Sequence, residues 1–495
     1  MKNYYKELEN KLEKAAAIKS ALNLFDYDLQ VNAPKEGDTA SSKIVGCLSD
    51  EYRNIFVCDD TENLLKGCRK MTNAGMLSSK EKAMLHETAR IRSELKPVSD
   101  RDYREFTELT ASAVNVWSKA KQDNNFEVFE PVLTKLVDYK KRFAKSRAVK
   151  HSRTYDVLLG DFEPGMTTDK LDEMFDNIKQ AVIPLIKQQS DNNYDNTILK
   201  PLNENEQDNL RKFCIYISEY VGFNPMRGVI AESAHPFTLN IHNKDVRITN
   251  NFNGENLIDP IFSAIHESGH ALYELGIDDS LTLTILGEGT SMGMHEGISR
   301  FYENMVGKQE SFWKPVYPKL VSYFPDRLKD VPLEQFLQII RRVNVCPVRT
   351  RADWLTYPVH IIIRYELEKK LISGRLKVHR LPDEWNRLYS KYLGITPEND
   401  SEGVLQDIHW SMGEFGYFPS YLIGSAVSAQ IYYHLKEVMP YDEYLENGNI
   451  TPVNQYLKRN IFRYGKALDT DAMLKNMTGE GLDVKYFIRY LKDNY

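Results

Sequence analysis

The chain has 495 residues, 42% of them hydrophobic and 27% charged, with a net charge of −6. That length allows a large buried core, and the charge gives no electrostatic basis for binding nucleic acid. Five scattered cysteines, none in a C-x-x-C pair, argue against both a disulfide framework and a thiolate metal site.

Residues 1–30 open the chain with charged, helical periodicity rather than an apolar leader. No apolar run approaches the ~20 residues of a membrane span, so a soluble, reducing, cytoplasmic setting is expected. Apolar residues at three- and four-residue spacing recur over 37–70, 79–96, 101–123, 126–148, 168–190 and 204–221. The polar stretches 96–100 and 163–170 interrupt this pattern, and Thr167 or Thr168 is placed to cap the helix that follows. The basic stretch 140–150 reads as a solvated helix face.

Between Gly228 and Asn251 the residues alternate and β-branched types cluster around a turn at 242–245. A small antiparallel sheet is predicted there, with helices resuming to the C-terminus. The economical architecture is mainly α: a single large helical domain with a minor sheet. Its parts are a helical block 1–225, the sheet 226–255 and a second helical block 256–495.

The second block opens on the segment that carries chemistry. Asp259-Pro260 reads as a helix start and Gly276 as its stop. Between them, His266 and His270 project from one face a turn apart, so both imidazoles can reach one cation. Glu267 sits beside them, placed to act on a water at the cation without being a ligand. Five of the eleven histidines fall between His235 and His295, which makes chance clustering a poor account. A catalytic zinc takes three protein ligands and keeps an open position. Glu288, Glu296, Glu303 and His295 are the candidates for the third, and Glu296 is favoured because its charge balances the metal. The helix that carries Glu296 is capped by Thr290 or Ser291.

Six ordered motifs then bear a resemblance to the carboxypeptidase Taq family of metallocarboxypeptidases. They are His235-Pro236-Phe237; Asp245, Arg247 and Thr249; His266 to His270, extended by Ala271-Leu272-Tyr273-Glu274; His295-Glu296-Gly297; Arg349, Ala352 and Asp353; and Gly403, Gln406, Asp407, His409 and Trp410. The stretch 416–421 follows as in the family, while Ile298 stands where its motif has Gln. The resemblance implies a helical fold with a deep active-site groove, a small sheet beside it, and commonly a homodimer.

It also implies an activity: removal of single residues from peptides with a free C-terminus, with no nucleic-acid or membrane partner. The expected metal is zinc, with cobalt or manganese as substitutes, held by His266, His270 and Glu296. Glu267 is the expected general base. Arg349 is expected to grip the terminal carboxylate, since a guanidinium fork matches it, with Asp353 orienting the fork if that stretch is helical. Gln406 and His409 are expected to line the groove. His235, His409, Tyr417 and Tyr421 are candidate donors to the oxyanion. For Asp245, Arg247 and Thr249 a structural hydrogen-bond network is expected. The competing readings are a zinc endopeptidase or aminopeptidase, and a metal-stabilised binding protein without chemistry.

Overall fold

The structure is a computed structural model that describes residues 4–148, 152–188 and 196–495. These residues form 21 α-helices, several shorter helical turns and one three-stranded sheet. Most expected helices appear within a few residues of their predicted bounds, as Tyr4–Val31, Ser79–Leu95, Asp100–Gln122, Phe126–Arg147, Thr168–Gln188 and Glu204–Val221. Of the stretches named above, residues 1–3, 149–150 and 189–190 lie outside the described ones. Among the described residues, no helix is long and apolar enough to cross a membrane.

The block 37–70 differs from expectation. Cys58 is extended (φ −64°, ψ 154°) and splits it into Asp38–Val57 and Asp59–Asn73. Asp59, Asp60 and Glu62 occupy the first turn of the second helix, where carboxylates favour the free backbone N–H groups.

The described residues gather into two compact units. One draws on 1–95, 193–340 and 427–482, the other on 96–192, 341–426 and 483–495. No linker-like composition marks the points where the chain passes from one unit to the other, and the blocks 1–225, 226–255 and 256–495 follow element type along the chain instead.

In the first unit, Leu8 and Leu12 lie a turn apart and pack with Phe56, Leu64, Leu281 and Leu286. This anchors the loop that leads to the Glu296 helix. The helix Ile258–Gly276 is apolar nearly all round, as a core helix must be, with Ile261, Ile265, Ala271 and Tyr273 fully buried. Its start is set by Asn256, whose side-chain oxygen accepts from the N–H groups of Ile258 and Asp259 (both 2.9 Å). The expected cap, Asp259, lies in the first turn instead. Gly276 ends the helix where a Cβ would lie 2.6 Å from the Phe462 side chain.

The sheet comprises β1 (Gly228–Glu232), β2 (Thr238–His242) and β3 (Asp245–Asn250), in the order β1-β3-β2. The predicted turn joins β2 and β3 as an antiparallel pair, but β1 runs parallel to β3. The sheet is therefore mixed rather than wholly antiparallel. Alternation reports that a segment is a strand, not the direction of its partner. Residues 233–244 contain all of β2 and give the length that a parallel crossover needs. Val246 and Ile248 of β3 pack with Ala271 and Leu275, seating the sheet on the helix that carries both histidines. The outer edge of β2 is covered by the first helix: Ser20 donates to the Ile241 carbonyl (2.6 Å) and Asn23 to that of Asn240 (2.7 Å).

Candidate active site

In the first unit, His266 and His270 stand with ring centroids 4.8 Å apart and planes at 84°. Glu296 comes from the helix Met292–Arg300, whose cap is Ser291, accepting from the Met294 N–H (3.1 Å). The two helices meet closely because residue 269 is glycine; a Cβ there would lie 2.7 Å from the Ser299 Cα. Glu296 Oε2 is 3.7 Å from His266 Nε2 and 3.8 Å from His270 Nε2. Among the described residues, these three offer ligand atoms that lie within 4.8 Å of one another.

The donor set fits a small divalent cation. Ligands about 2.1 Å from a shared tetrahedral centre stand about 3.4 Å apart, close to these separations and beyond a hydrogen bond. Glu296 Oε1 accepts from Arg300 Nε (2.7 Å), which leaves Oε2 for the cation. Electrostatics agree. Burial disfavours a charged His266, yet the carboxylates of Glu296 and Glu303 outweigh it and lift the imidazole to about 9, so the locale favours positive charge.

The other candidates for third ligand have different partners. Glu303 takes the Nδ1 of His266 at 2.7 Å, from a π-helical turn, Phe301–Val306, that continues the Glu296 helix. His295 meets the Nδ1 of His270 at 2.6 Å. Glu288 is drawn away by Lys466 (2.6 Å), whose charge outweighs burial and lowers the carboxyl to about 2. Ile298 is fully buried, and it is Arg300 that holds the second oxygen of Glu296.

Glu267 is buried and lies outside the ligand triangle. The Thr238 hydroxyl, at the start of β2, donates to its Oε2 (2.6 Å). Burial raises the Glu267 carboxyl above its ordinary range, against the pull of His266 and the Thr238 bond. Thr238, Glu274, Arg300 and Lys466 were not singled out in the sequence. Only Glu274 lay inside a recognised motif, and nothing in its spacing marked it.

Asp245, Arg247 and Thr249 make structural hydrogen bonds, in two separate groups. The Arg247 guanidinium pairs with Asp245 (3.0 and 2.8 Å) and lies 4.9 Å from the Tyr27 ring, while Thr249 Oγ1 accepts from the Phe237 N–H (3.1 Å). The His235 side chain is exposed, and its carbonyl accepts from Ser233 (2.6 Å).

The remaining candidates belong to the second unit. Arg349 lies buried in a short 3-10 turn, Arg349–Arg351, and its Nε donates to Asp407 Oδ1 (2.8 Å). The other oxygen of Asp407 accepts from Arg364 Nε (2.6 Å), and the two guanidinium charges overcome burial to hold this carboxyl well below its usual range. Asp353 does not orient Arg349, because residue 352 is extended and Asp353 instead accepts from the N–H groups of Asn344, Leu355 and Thr356. Gln406 accepts from the Arg349 N–H (2.7 Å) and donates to the carbonyls of Pro347 and Glu402, so its amide shapes the Arg349 turn. His409 Nε2 meets the Tyr421 hydroxyl at 3.0 Å. Burial, then the Arg349 charge, push His409 down to about 3, so its ring is neutral. Tyr417 packs on His409 and Tyr421, with centroids 5.4 and 5.2 Å away.

Glu368 organises the same unit. Fully buried, it takes hydrogen bonds from Tyr155 (2.6 Å), Trp410 (2.8 Å) and the Gly416 N–H (2.9 Å). Burial pushes its carboxyl up to about 7, and the Tyr155 hydroxyl can accept from the protonated acid as readily as it donates to the ionised one. A carboxyl raised on folding stabilises fully below its unfolded pKa, and this contribution is lost as pH rises through the folded value. Glu368 should therefore remove up to about 3 kcal/mol of stability between about pH 4.5 and 7. Urea unfolding of the wild type and Glu368→Gln across that window checks this. Equal pH slopes would show that Glu368 does not titrate there.

Residues 7–495 match the family model described as carboxypeptidase Taq (M32) metallopeptidase. The chain is 36% identical over 495 residues to carboxypeptidase 1 of Bacillus subtilis, covering 99% of this chain and 98% of that protein. It is 34% identical over 496 residues to thermostable carboxypeptidase 1 of Pyrococcus furiosus, with the same coverage. Among solved structures, a Pyrococcus furiosus carboxypeptidase superposes with a TM-score of 0.94 at 32% identity, covering 100% of this chain and 99% of that one. Metallocarboxypeptidase 1 of Trypanosoma cruzi superposes at 0.92 and 29% identity, covering 99% of each chain.

Proposed function

This chain belongs to the carboxypeptidase Taq family and is a metallocarboxypeptidase, and we propose that it removes single residues from the free C-terminus of peptides with zinc as its metal. The observation that carries the reading is the convergence of His266, His270 and Glu296, with a buried carboxylate, Glu267, beside but outside the set. A bound divalent cation supplies Lewis acidity, polarising the scissile carbonyl and acidifying water.

Glu267 takes the proton of the attacking water and returns it to the leaving amine. Thr238 occupies one of its oxygens and so presents the other for that transfer. Glu303 and Arg300 hold His266 and Glu296 in place. Arg349 grips the terminal carboxylate of the substrate, its guanidinium fixed by Asp407, which Arg364 holds in turn. Gln406 acts on Arg349 through the backbone. His235, His409, Tyr417 and Tyr421 are the donors assigned to the developing oxyanion. A homodimer in the cytoplasm, loaded with zinc and tolerant of cobalt or manganese, completes the reading.

The test is a matched peptide pair differing only in a C-terminal amide. The free acid should be trimmed one residue at a time and the amide should resist. Arg349→Ala should cut kcat/KM on the free acid by about 10- to 100-fold, from loss of a charged hydrogen bond worth ~1.5–3 kcal/mol. Arg349→Lys should recover only part, because an ammonium lacks the planar fork. Equal trimming of acid and amide would sink the exopeptidase reading and install the endopeptidase one, with the metal chemistry intact.

A further inference from the structure

His295 and Glu274 lie outside the ligand triangle and have no part in the chemistry above. Their geometry is nonetheless directional. His295 Nδ1 faces His270 Nδ1 at 2.6 Å, and His295 Nε2 faces Glu274 Oε1 at 2.6 Å. Two facing imidazole nitrogens require one donor and one acceptor. Glu274 decides which is which, because a carboxylate there is satisfied only by a proton on His295 Nε2. With His295 neutral, its Nδ1 is then a lone pair that accepts, so His270 carries its proton on Nδ1. That leaves the Nε2 of His270 unprotonated, and Nε2 is the atom aimed towards Glu296. With a neutral His295, the opposite order would put a proton on this ligand nitrogen and leave a lone pair of His295 facing the carboxylate.

The surroundings hold these groups in place. Glu274 is buried; its Oε1 also accepts from the Gly289 N–H (3.0 Å), and its Oε2 accepts from the Asn240 amide. Asn240 is itself tied to the Gly287 carbonyl (3.0 Å). Gly289 passes so near that a Cβ there would lie 2.5 Å from His295 Cδ2, and the Tyr273 ring lies 5.2 Å away on centroids. The His295 ring is thereby clamped between a loop and an aromatic face. The Nδ1 of His266 has a carboxylate, Glu303, in direct contact; the Nδ1 of His270 reaches Glu274 through a second imidazole.

We propose that His295 and Glu274 are positioning residues that lock His270 in the tautomer and orientation that offers Nε2 to the metal. This rests on the reading that His266, His270 and Glu296 hold the cation. The test is zinc affinity of the full-length chain, stripped of metal and titrated in competition with a chromophoric chelator. The variants are His295→Phe, which keeps the ring and removes the acceptor, and His295→Asn, whose side-chain oxygen can stand where Nδ1 stood. The relay requires His295→Phe to lose about 10- to 100-fold in affinity, the usual worth of a partner to a ligand histidine, and His295→Asn to recover most of it. The d–d absorption of the cobalt-loaded His295→Phe form should shift as well.

A packing role predicts the reverse order, since Phe fills the space better than Asn. Affinity of His295→Phe within about two-fold of wild type, or His295→Asn weaker than His295→Phe, overturns the proposal. If His295→Phe does not fold, nitrogen-15 NMR of the zinc-loaded wild type decides. His295 protonated on Nε2 and His270 on Nδ1 supports the relay, and His295 protonated on Nδ1 refutes it. Failure of the wild type to bind any divalent cation would instead sink the ligand assignment beneath it.

Discussion

Replacing Glu267 by Gln is expected to cost at least about 10³- to 10⁴-fold in kcat while the protein stays folded and fully metal-loaded. The substitution keeps the shape, and an amide oxygen can still accept from Thr238, so the β2–helix contact survives. Glu267 is not in the ligand triangle, so metal content should be unchanged. What is lost is a base. An amide cannot take the proton of water, nor return one to the departing amine, so both halves of the transfer fail together. Metal analysis alongside kcat and KM on one peptide provides the check. A fall of less than about ten-fold would assign the base elsewhere.

The second large effect is expected from Glu296→Ala. It removes one of the three proposed ligands and the carboxylate that would offset the cation, and it removes an acceptor of the Arg300 guanidinium. A catalytic zinc site reduced to two histidines has lost a ligand outright, so affinity should fall by more than the ~10- to 100-fold typical of outer partners. Activity and residual metal should fall in parallel after dialysis against a weak chelator, and excess zinc should restore part of the activity. Full occupancy after the same dialysis would show that another group closes the site.

The sequence made the metal helix legible because helical spacing is itself geometry: His266 and His270, four apart, must share a face. It did the same for Glu296 through its short distance from the first helix and its charge. The groups that hold these ligands were not legible, since each arrives by tertiary folding. Thr238 reaches Glu267 because β2 is laid across the helix, and Glu274 reaches His295 because a glycine loop closes over both. Glu303 and His295, candidate ligands by sequence, each lie against the Nδ1 of a histidine. Periodicity also missed what depends on connection: the parallel pairing of β1, the break at Cys58, the Asn256 cap, and Asp407 in place of Asp353 beside Arg349.

Gly269 stands between the two histidines, where its missing side chain lets the Ser299 backbone approach. The gap between the histidine pair and Glu296 is therefore set by how closely two main chains cross, not by how three side chains happen to rotate. Side-chain torsions yield for ~0.5–1.5 kcal/mol, whereas a packed helix crossing moves only with its whole neighbourhood. A cation held by these three groups would therefore meet a frame fixed by the main chain. The residue with least chemistry in the motif thus acts as its calliper, since any side chain at position 269 would meet the Ser299 backbone and widen the crossing on which the three groups depend.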